Sequence, residues 1–181
     1  MPSGYRLTMH PNAVAGAVLR KSTWAVLALT THIELFTQVH YRQSIEPSAD
    51  LSPLYKDVFL FHWKEESQHA IVDELEWARV DATLDAGQRD RAVSDFIELV
   101  GAVDGLLQCQ ADADAAYFAR VSTGGYGDEQ LARVGTLVLR AYRWQYILSG
   151  AQHPRFLEAL GRFVTAEQGA RIAAALAPLT A

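Results

Sequence analysis

Two histidines and a glutamate within one short segment, His62, Glu66 and His69, form the pattern in this sequence that is best suited to chemistry. If the segment is helical, Glu66 lies about 40° around the helix from His62, and His69 lies about 20° to the other side. Two imidazoles and a carboxylate that converge in this way are nitrogen and oxygen ligands for metals such as iron and zinc. The spacing therefore predicts a metal site on one face of a helix.

A further candidate ligand, Glu34, lies one predicted helix earlier, inside the apolar run from Trp24 to Phe36. Burying a carboxylate among apolar residues is costly unless a cation or hydrogen bonds compensate. Paired metal sites in helical bundles take single Glu residues from two helices and a Glu-x-x-His pair from each of the other two. Glu34 with Glu66 and His69 would form one half of such a site. The predicted metal ligands are therefore Glu34, His62, Glu66 and His69.

Neighbouring polar residues are assigned by their angle on the same helices. Asp73 lies about 20° from His62, and we expect it to accept a hydrogen bond from a ligating imidazole. His40 is rotated about 120° from Glu34, so we expect it, together with His32, to lie outside the site.

Helical periodicity runs through nearly the whole chain, and no segment alternates as a β-strand does. Proline, glycine and capping residues divide it into four long helices, at about 13–45, 53–82, 88–121 and 129–148, with a helical tail over 154–178. The predicted fold class is all-α: an antiparallel four-helix bundle with a short C-terminal helical tail, in one domain over residues 1–181.

Composition narrows the function classes. The chain has 181 residues, half of them hydrophobic, and a net charge of −5, which argues against a nucleic-acid surface. One cysteine, Cys109, excludes an internal disulfide and is expected to be a small buried residue. No signal peptide or membrane span is predicted, so we expect a cytoplasmic protein, and a homodimer is the base-rate expectation.

The motif His62-x-x-x-Glu66-x-x-His69, preceded by Glu34 about one helix earlier, resembles the ferritin-like di-iron oxygenases. The resemblance is most specific to the arylamine N-oxygenase type, in which one helix adds a histidine to Glu-x-x-His. It covers two helices, less than half of the chain. It implies a ferritin-like antiparallel four-helix bundle with a non-haem di-iron centre that activates O2, and with Glu34, His62, Glu66 and His69 as its ligands. We therefore expect a bound iron, with manganese as the alternative metal, and oxidation of a small organic substrate.

The chain departs from that family in its later helices, which contain no second Glu-x-x-His. Asp104, Gln108 and Asp112 are spaced one turn apart and are either an acidic ligand source or a hydrated face. Three explanations stay open: the missing ligands precede this chain in a longer oxygenase, the site holds a single metal, or the site is degenerate.

Two rival hypotheses make different predictions. A haem-oxygenase-like di-iron enzyme would need another histidine on the first helix facing the site, and the angle of His40 counts against it. A metal-free helical interaction protein would bury aromatic residues such as Trp144 and Tyr146 against a partner. That hypothesis predicts that Glu66 and His69 lie at the surface.

Overall fold

The computed structural model of the chain describes residue 5 and residues 10–180. Its α-helices are α1 (Pro11–Val18), α2 (Thr23–His40), α3 (Pro53–Asp81), α4 (Ala86–Val121), α5 (Asp128–Arg143), α6 (Ser149–Ala151), α7 (Pro154–Phe163) and α8 (Ala166–Leu176). Two π-helical turns, π1 (Tyr41–Ile45) and π2 (Trp144–Leu148), and a final 3-10 turn (Ala177–Thr180) complete the elements. These residues contain no β-strand, which confirms the all-α prediction.

The long helices pack around α2. Helix α3 packs along α2, α4 packs against both α2 and α5, and the π2–α6 continuation of α5 also packs against α2. Within residues 10–180, α3 makes no more than marginal contact with α4 or α5. Of the short helices, α7 lies on α2 and α3, and α8 lies on α4. These contacts describe a helical bundle, but they do not by themselves describe a closed four-helix arrangement.

The prediction of one continuous helix over 13–45 is wrong, because the chain leaves the helix between α1 and α2. Ser22 caps α2 by accepting a hydrogen bond from the Ala25 N–H at 3.4 Å. The Ser22 N–H in turn donates to the Asp95 carboxylate at 2.9 Å, and Lys21 donates to the same carboxylate at 3.3 Å. Since Asp95 belongs to α4, a long-range contact holds the break in place.

The starts of α3 and α4 follow from their caps. Helix α3 begins at Pro53, as expected, and Ser52 accepts a hydrogen bond from the Tyr55 N–H at 3.2 Å. Helix α4 begins two residues earlier than predicted, because Asp85 and Gln88 form a reciprocal capping box at 2.7 and 2.8 Å. Asp85 therefore begins a helix rather than ending the previous one.

The fourth predicted helix, 129–148, differs at both ends. Helix α5 begins at Asp128, becomes π-helical at Trp144 and continues through α6 to Ala151, so Gly150 does not close it. The tail consists of α7 and α8, and Thr165 with Gln168 forms the capping box that opens α8.

The core next to the site is aromatic. Trp24 of α2 and Trp77 of α3 are almost fully buried and meet edge to face, with ring centroids 5.1 Å apart. Phe156 stacks on Trp77 at 5.9 Å and Phe163 meets it at 4.9 Å, so α7 is tied to the same cluster. Trp24 Nε1 also donates to Asp81 at 2.9 Å. This cluster fixes the alignment of α2 and α3.

Two further expectations concern the burial of Cys109 and the presence of membrane-spanning helices. Cys109 was expected to be buried, but it is exposed, because it lies on the solvent face of α4 with Gly105, Gln108 and Asp112. No helix in the described part of the chain is both long enough and apolar enough to cross a bilayer.

Candidate metal site

The candidate site lies where α2 and α3 pack together as an antiparallel pair. The pair runs antiparallel because Trp24 contacts Trp77 at one end and Tyr41 contacts Trp63 at the other. Glu34 lies about three turns along α2 from Trp24, and a similar length of α3 separates Glu66 from Trp77. The tryptophan contact therefore places the two glutamates at the same level.

Glu34, Glu66 and His69 bring one potential ligand atom each within 4.8 Å of one another. Both glutamates are half-buried, whereas the His69 side chain is 51% exposed. The carboxylates lie in the groove between the helices, and the imidazole stands at its solvent edge. Three of the four predicted ligands therefore converge.

Imidazole nitrogens lie close to both carboxylate oxygens of Glu66. His62 Nε2 lies 2.7 Å from Oε1, and His69 Nδ1 donates a hydrogen bond to Oε2 at 2.7 Å. The His62 side chain is 47% exposed, whereas that of Glu66 is only 16% exposed. His62 thus contacts Glu66, but it is not part of the group of three.

The two carboxyl groups titrate very differently. Burial raises the pKa of Glu34 to about 8, aided by its hydrogen bond to Glu66 and by the negative charges of Glu66 and Asp73. The pKa of Glu66 is lowered, first by the hydrogen bond from Glu34 and then by the two histidines, against the opposing effect of burial. At neutral pH, Glu34 therefore holds a proton and donates it to an ionised Glu66.

This arrangement surrounds one carboxylate with two donors, Glu34 and His69, and with the nearby His62 ring. Their positively polarised hydrogens lie on the side from which a bound cation would interact with Glu66. A divalent metal would displace the Glu34 proton, and an imidazole nitrogen would offer its lone pair after a change of tautomer. Chemically, the group can exchange a shared proton for a metal ion.

The other residues discussed for this region lie elsewhere or act differently. Asp73 was expected to accept a hydrogen bond from an imidazole. In the structure, its negative charge helps to raise the pKa of Glu34. His40 packs against Phe59 with ring centroids 5.9 Å apart. His32 is buried and donates from Nε2 to the carbonyl of Ile147 at 2.7 Å.

A second ligand set is not found in α4 or α5. Asp104 forms an ion pair with Arg143 at 2.7 Å, and this guanidinium holds the pKa of Asp104 below its usual range. Asp112 is exposed, and His153 caps α7 by accepting from the Arg155 N–H. In residue 5 and residues 10–180, no other three ligand-type side chains converge as the first group does.

Aromatic residues near these helices have partners of their own. Trp63 packs on buried Tyr41 at 5.5 Å, and the Tyr142 hydroxyl donates to Asp114. An apolar cavity of about 270 Å³ is lined by His32, which lies about 160° from Glu34 around α2. The cavity therefore belongs to the opposite side of α2.

No protein-family model, no curated protein and no solved structure matches this chain. The geometry of α2 and α3 is therefore the basis on which a function is proposed.

Proposed function

We propose that Glu34, Glu66 and His69 bind a divalent iron or manganese ion. The protein would then act as a ferritin-like non-haem iron oxidase or oxygenase on a small organic substrate with O2. One observation carries the proposal: two carboxyl groups and an imidazole from two packed helices lie within 4.8 Å of one another. The family resemblance of the motif supplies the choice of iron and oxygen chemistry.

The fit of a cation is supported by the cost of the arrangement without one. Burial, and after it the hydrogen bond and negative charge of Glu66, raise the pKa of Glu34 to about 8, so the two carboxyl groups are not both ionised at neutral pH. No lysine or arginine acts on either carboxyl in the part of the chain that the structure describes. A metal ion would supply the positive charge that these residues lack.

The ligand types favour particular metals. Two carboxylates and one imidazole make an oxygen-rich set, which suits Mn²⁺ and Fe²⁺ better than the soft thiolate sites that select copper(I). Bound iron with open coordination positions would supply the chemistry of O2 reduction. Iron(II) persists in a reducing compartment, so a cytoplasmic location belongs to the same proposal.

The proposal is tested by anaerobic titration of the chelator-treated protein with Fe²⁺ and with Mn²⁺, followed by calorimetry and elemental analysis. We expect Glu66→Gln to weaken metal binding at least tenfold, because the amide cannot supply the negative charge of the central ligand. The matched control is Glu158→Gln, the same change at an exposed position on α7. The control should bind like the unaltered protein.

Equal metal binding by Glu66→Gln and by the control would reject this site. A protein that binds neither metal, and whose stability is unchanged by Glu66→Gln, would instead support the metal-free interaction protein. If metal binds but O2 is not consumed with any reductant, the binding proposal stands and the oxygenase proposal fails.

A further inference from the structure

Helix α3 has apolar residues on two sides, and only one side has a partner. The inner side, with Ala70 and Trp77, is buried against α2 and the tail. The outer side carries the residues that we name the α3 stripe. The apolar members of the stripe and their exposed fractions are Leu54 (75%), Val58 (58%), Phe61 (67%), Val72 (61%) and Leu75 (67%).

The α3 stripe is large enough to matter for association. Leu54 and Leu75 are separated by about 32 Å along the helix. With Ile71 beside it, which is 48% exposed, the stripe presents on the order of 600 Å² of surface, against about 800 Å² per partner in a standard stable interface. A continuous exposed surface of this size usually marks an interaction site.

The spacing of the stripe is that of a helix that packs on another helix. Its residues, 54, 58, 61, 65, 68, 72 and 75, alternate steps of four and three, which is the heptad pattern of coiled coils. The two central positions are polar, Glu65 and Gln68, and the apolar positions lie on either side of them. The stripe is therefore nearly symmetric about its own centre.

This symmetry identifies the partner as a second copy in antiparallel orientation. Two-fold packing in that orientation pairs Val58 with Leu75, Phe61 with Val72, and Glu65 with Gln68 of the partner subunit. Four of the five apolar members then meet apolar residues, and the carboxylate meets an amide donor; Leu54, at the end of the stripe, falls opposite Arg79 of the partner subunit. A parallel pair in register would instead bring two Glu65 carboxylates together, which is unfavourable.

The same packing brings the two candidate sites together. His62 and His69 both occupy the heptad position that flanks the stripe on the side of Glu66. In an antiparallel two-fold pair, equivalent flanks face each other, and His62 of the partner subunit comes within about one helical turn of the level of His69. Each group of three ligands thereby gains a neighbouring imidazole.

We propose that the protein forms a two-fold dimer through antiparallel packing of the α3 stripe, and that His62 of the partner subunit completes each candidate metal site. The interface stands on the stripe alone. The ligand role rests on the proposed metal function, because it assumes that Glu34, Glu66 and His69 bind the ion.

The interface is tested by sedimentation of the metal-free protein. We expect twice the 20.0 kDa mass of one chain for the unaltered protein and a single-chain mass for the double variant Phe61→Glu, Val72→Glu. The control is Leu137→Glu, Leu157→Glu, which places the same charges on exposed leucines of α5 and α7. The control should remain dimeric, and circular dichroism should show that all three forms are helical.

An unaltered protein that stays monomeric up to about 100 µM would overturn the interface. So would a stripe variant that keeps the mass of a dimer, or a control that loses it. A folded, monomeric stripe variant that still binds metal with unaltered affinity would overturn the ligand role but not the interface.

The ligand role is tested by mixing two variants, each of which lacks part of the proposed shared site. One is His62→Ala, and the other is the triple variant Glu34→Gln, Glu66→Gln, His69→Ala. Each alone should bind Fe²⁺ at least tenfold more weakly than the unaltered protein. After the subunits exchange, mixed dimers should regain one tight site, built from the three ligands of one chain and His62 of the partner subunit.

The outcomes separate the two proposals. If the unaltered protein binds metal and the mixture recovers nothing, His62 acts within its own chain and the shared site is rejected. If the unaltered protein is a dimer that binds no metal, the proposed metal function fails while the interface is supported.

Discussion

Glu34 and Glu66 lie close together because one proton on Glu34 reduces the repulsion between the two carboxyl groups. Their hydrogen bond lets Glu34 stay neutral while Glu66 carries the charge, accepts a hydrogen bond from His69 and lies close to the His62 ring. The metal-free protein is therefore organised around a single negative charge. Any ion that enters must release the proton of Glu34, so metal affinity is expected to rise with pH until that carboxyl ionises.

The raised pKa of Glu34 predicts a stability change with pH in the metal-free protein. Between its ordinary value near 4.5 and about 8, the folded state holds a proton that the unfolded state has released. Its contribution to stability is therefore complete at low pH and is lost as the pH rises through this window. Urea denaturation with a chelator present should show a greater loss of stability from about pH 5 to pH 8 in the unaltered protein than in Glu34→Gln.

Glu158→Gln is the control for that measurement, because Glu158 is exposed on α7. It should retain the full pH dependence. An identical pH profile for Glu34→Gln and the unaltered protein would show that Glu34 ionises normally. The lowered pKa of Glu66 has the opposite effect on stability, because the stabilisation by ionised Glu66 is lost as the pH falls through its pKa. The comparison is therefore made above the pH at which Glu66 becomes protonated.

For single residues, the sequence predicted which side chains come close together, but not which contacts each of them makes. Helical spacing alone placed Glu66 and His69 on one face, and the apolar surroundings of Glu34 indicated that it needed a partner. His62 has the right angle as well, yet it contacts only one carboxylate oxygen and lies outside the group of three. Rotamers and the depth of the groove decide that difference, and a helical projection contains neither.

Among the elements, the join between α2 and the π2–α6 segment is the tightest. A Cβ atom at Gly150 would lie 2.7 Å from the carbonyl oxygen of His32 and 2.8 Å from its ring. His32 is itself fixed by donating to the carbonyl of Ile147 in π2. Neither partner can retreat, because one is helix backbone and the other is a buried ring.

Gly150→Ala should therefore destabilise the protein, by about 1–3 kcal/mol for an overpacked position. The matched control is Gly161→Ala in α7, where nothing lies within 4 Å of the added Cβ. That change should stabilise the protein by about 0.5–1 kcal/mol, since alanine is the better helix former. Chemical denaturation of both variants measures the two effects, and equal signs would contradict the assigned contacts.

Element boundaries were predictable where the signal is local. Ser52 before Pro53, and Thr165 before Gln168, cap helices at the expected places. The break at Ser22 was missed because Asp95, on another helix, satisfies its backbone N–H. The π-turns were also missed, because apolar periodicity is nearly the same in a π-turn and in an α-helix over five residues.

For the whole molecule, the aromatic cluster around Trp77 joins α3 to α2 and α7. Trp77 has no exposed surface and contacts Trp24 of α2 and two phenylalanines of α7. The contact between α2 and α3 is the most extensive of the helix pairs in the described residues, and ion pairs of Glu74 also join α3 to α7. The all-α class was predictable from periodicity, whereas the central position of α2 was not, because sequence patterns do not state which helices become neighbours.

Trp77→Ala should destabilise the fold by about 3–5 kcal/mol, the usual cost of removing a large buried aromatic side chain. Leu19→Ala is the control, because Leu19 is 83% exposed. It should change the free energy of unfolding by no more than about 0.5 kcal/mol. Urea denaturation measures both, and a small effect at Trp77 would mean that α3 is held by contacts other than this cluster.

The half-exposed imidazoles of His62 and His69, beside the half-buried carboxyl groups, affect how fast a bound ion would leave. An ion held by Glu34, Glu66 and His69 would be reached from solvent directly past His62 and His69, without any opening of the helix pair. Its residence time would then be set by ligand exchange rather than by protein motion. A small chelator should strip it rapidly from a single chain, and far more slowly wherever the histidine side is covered.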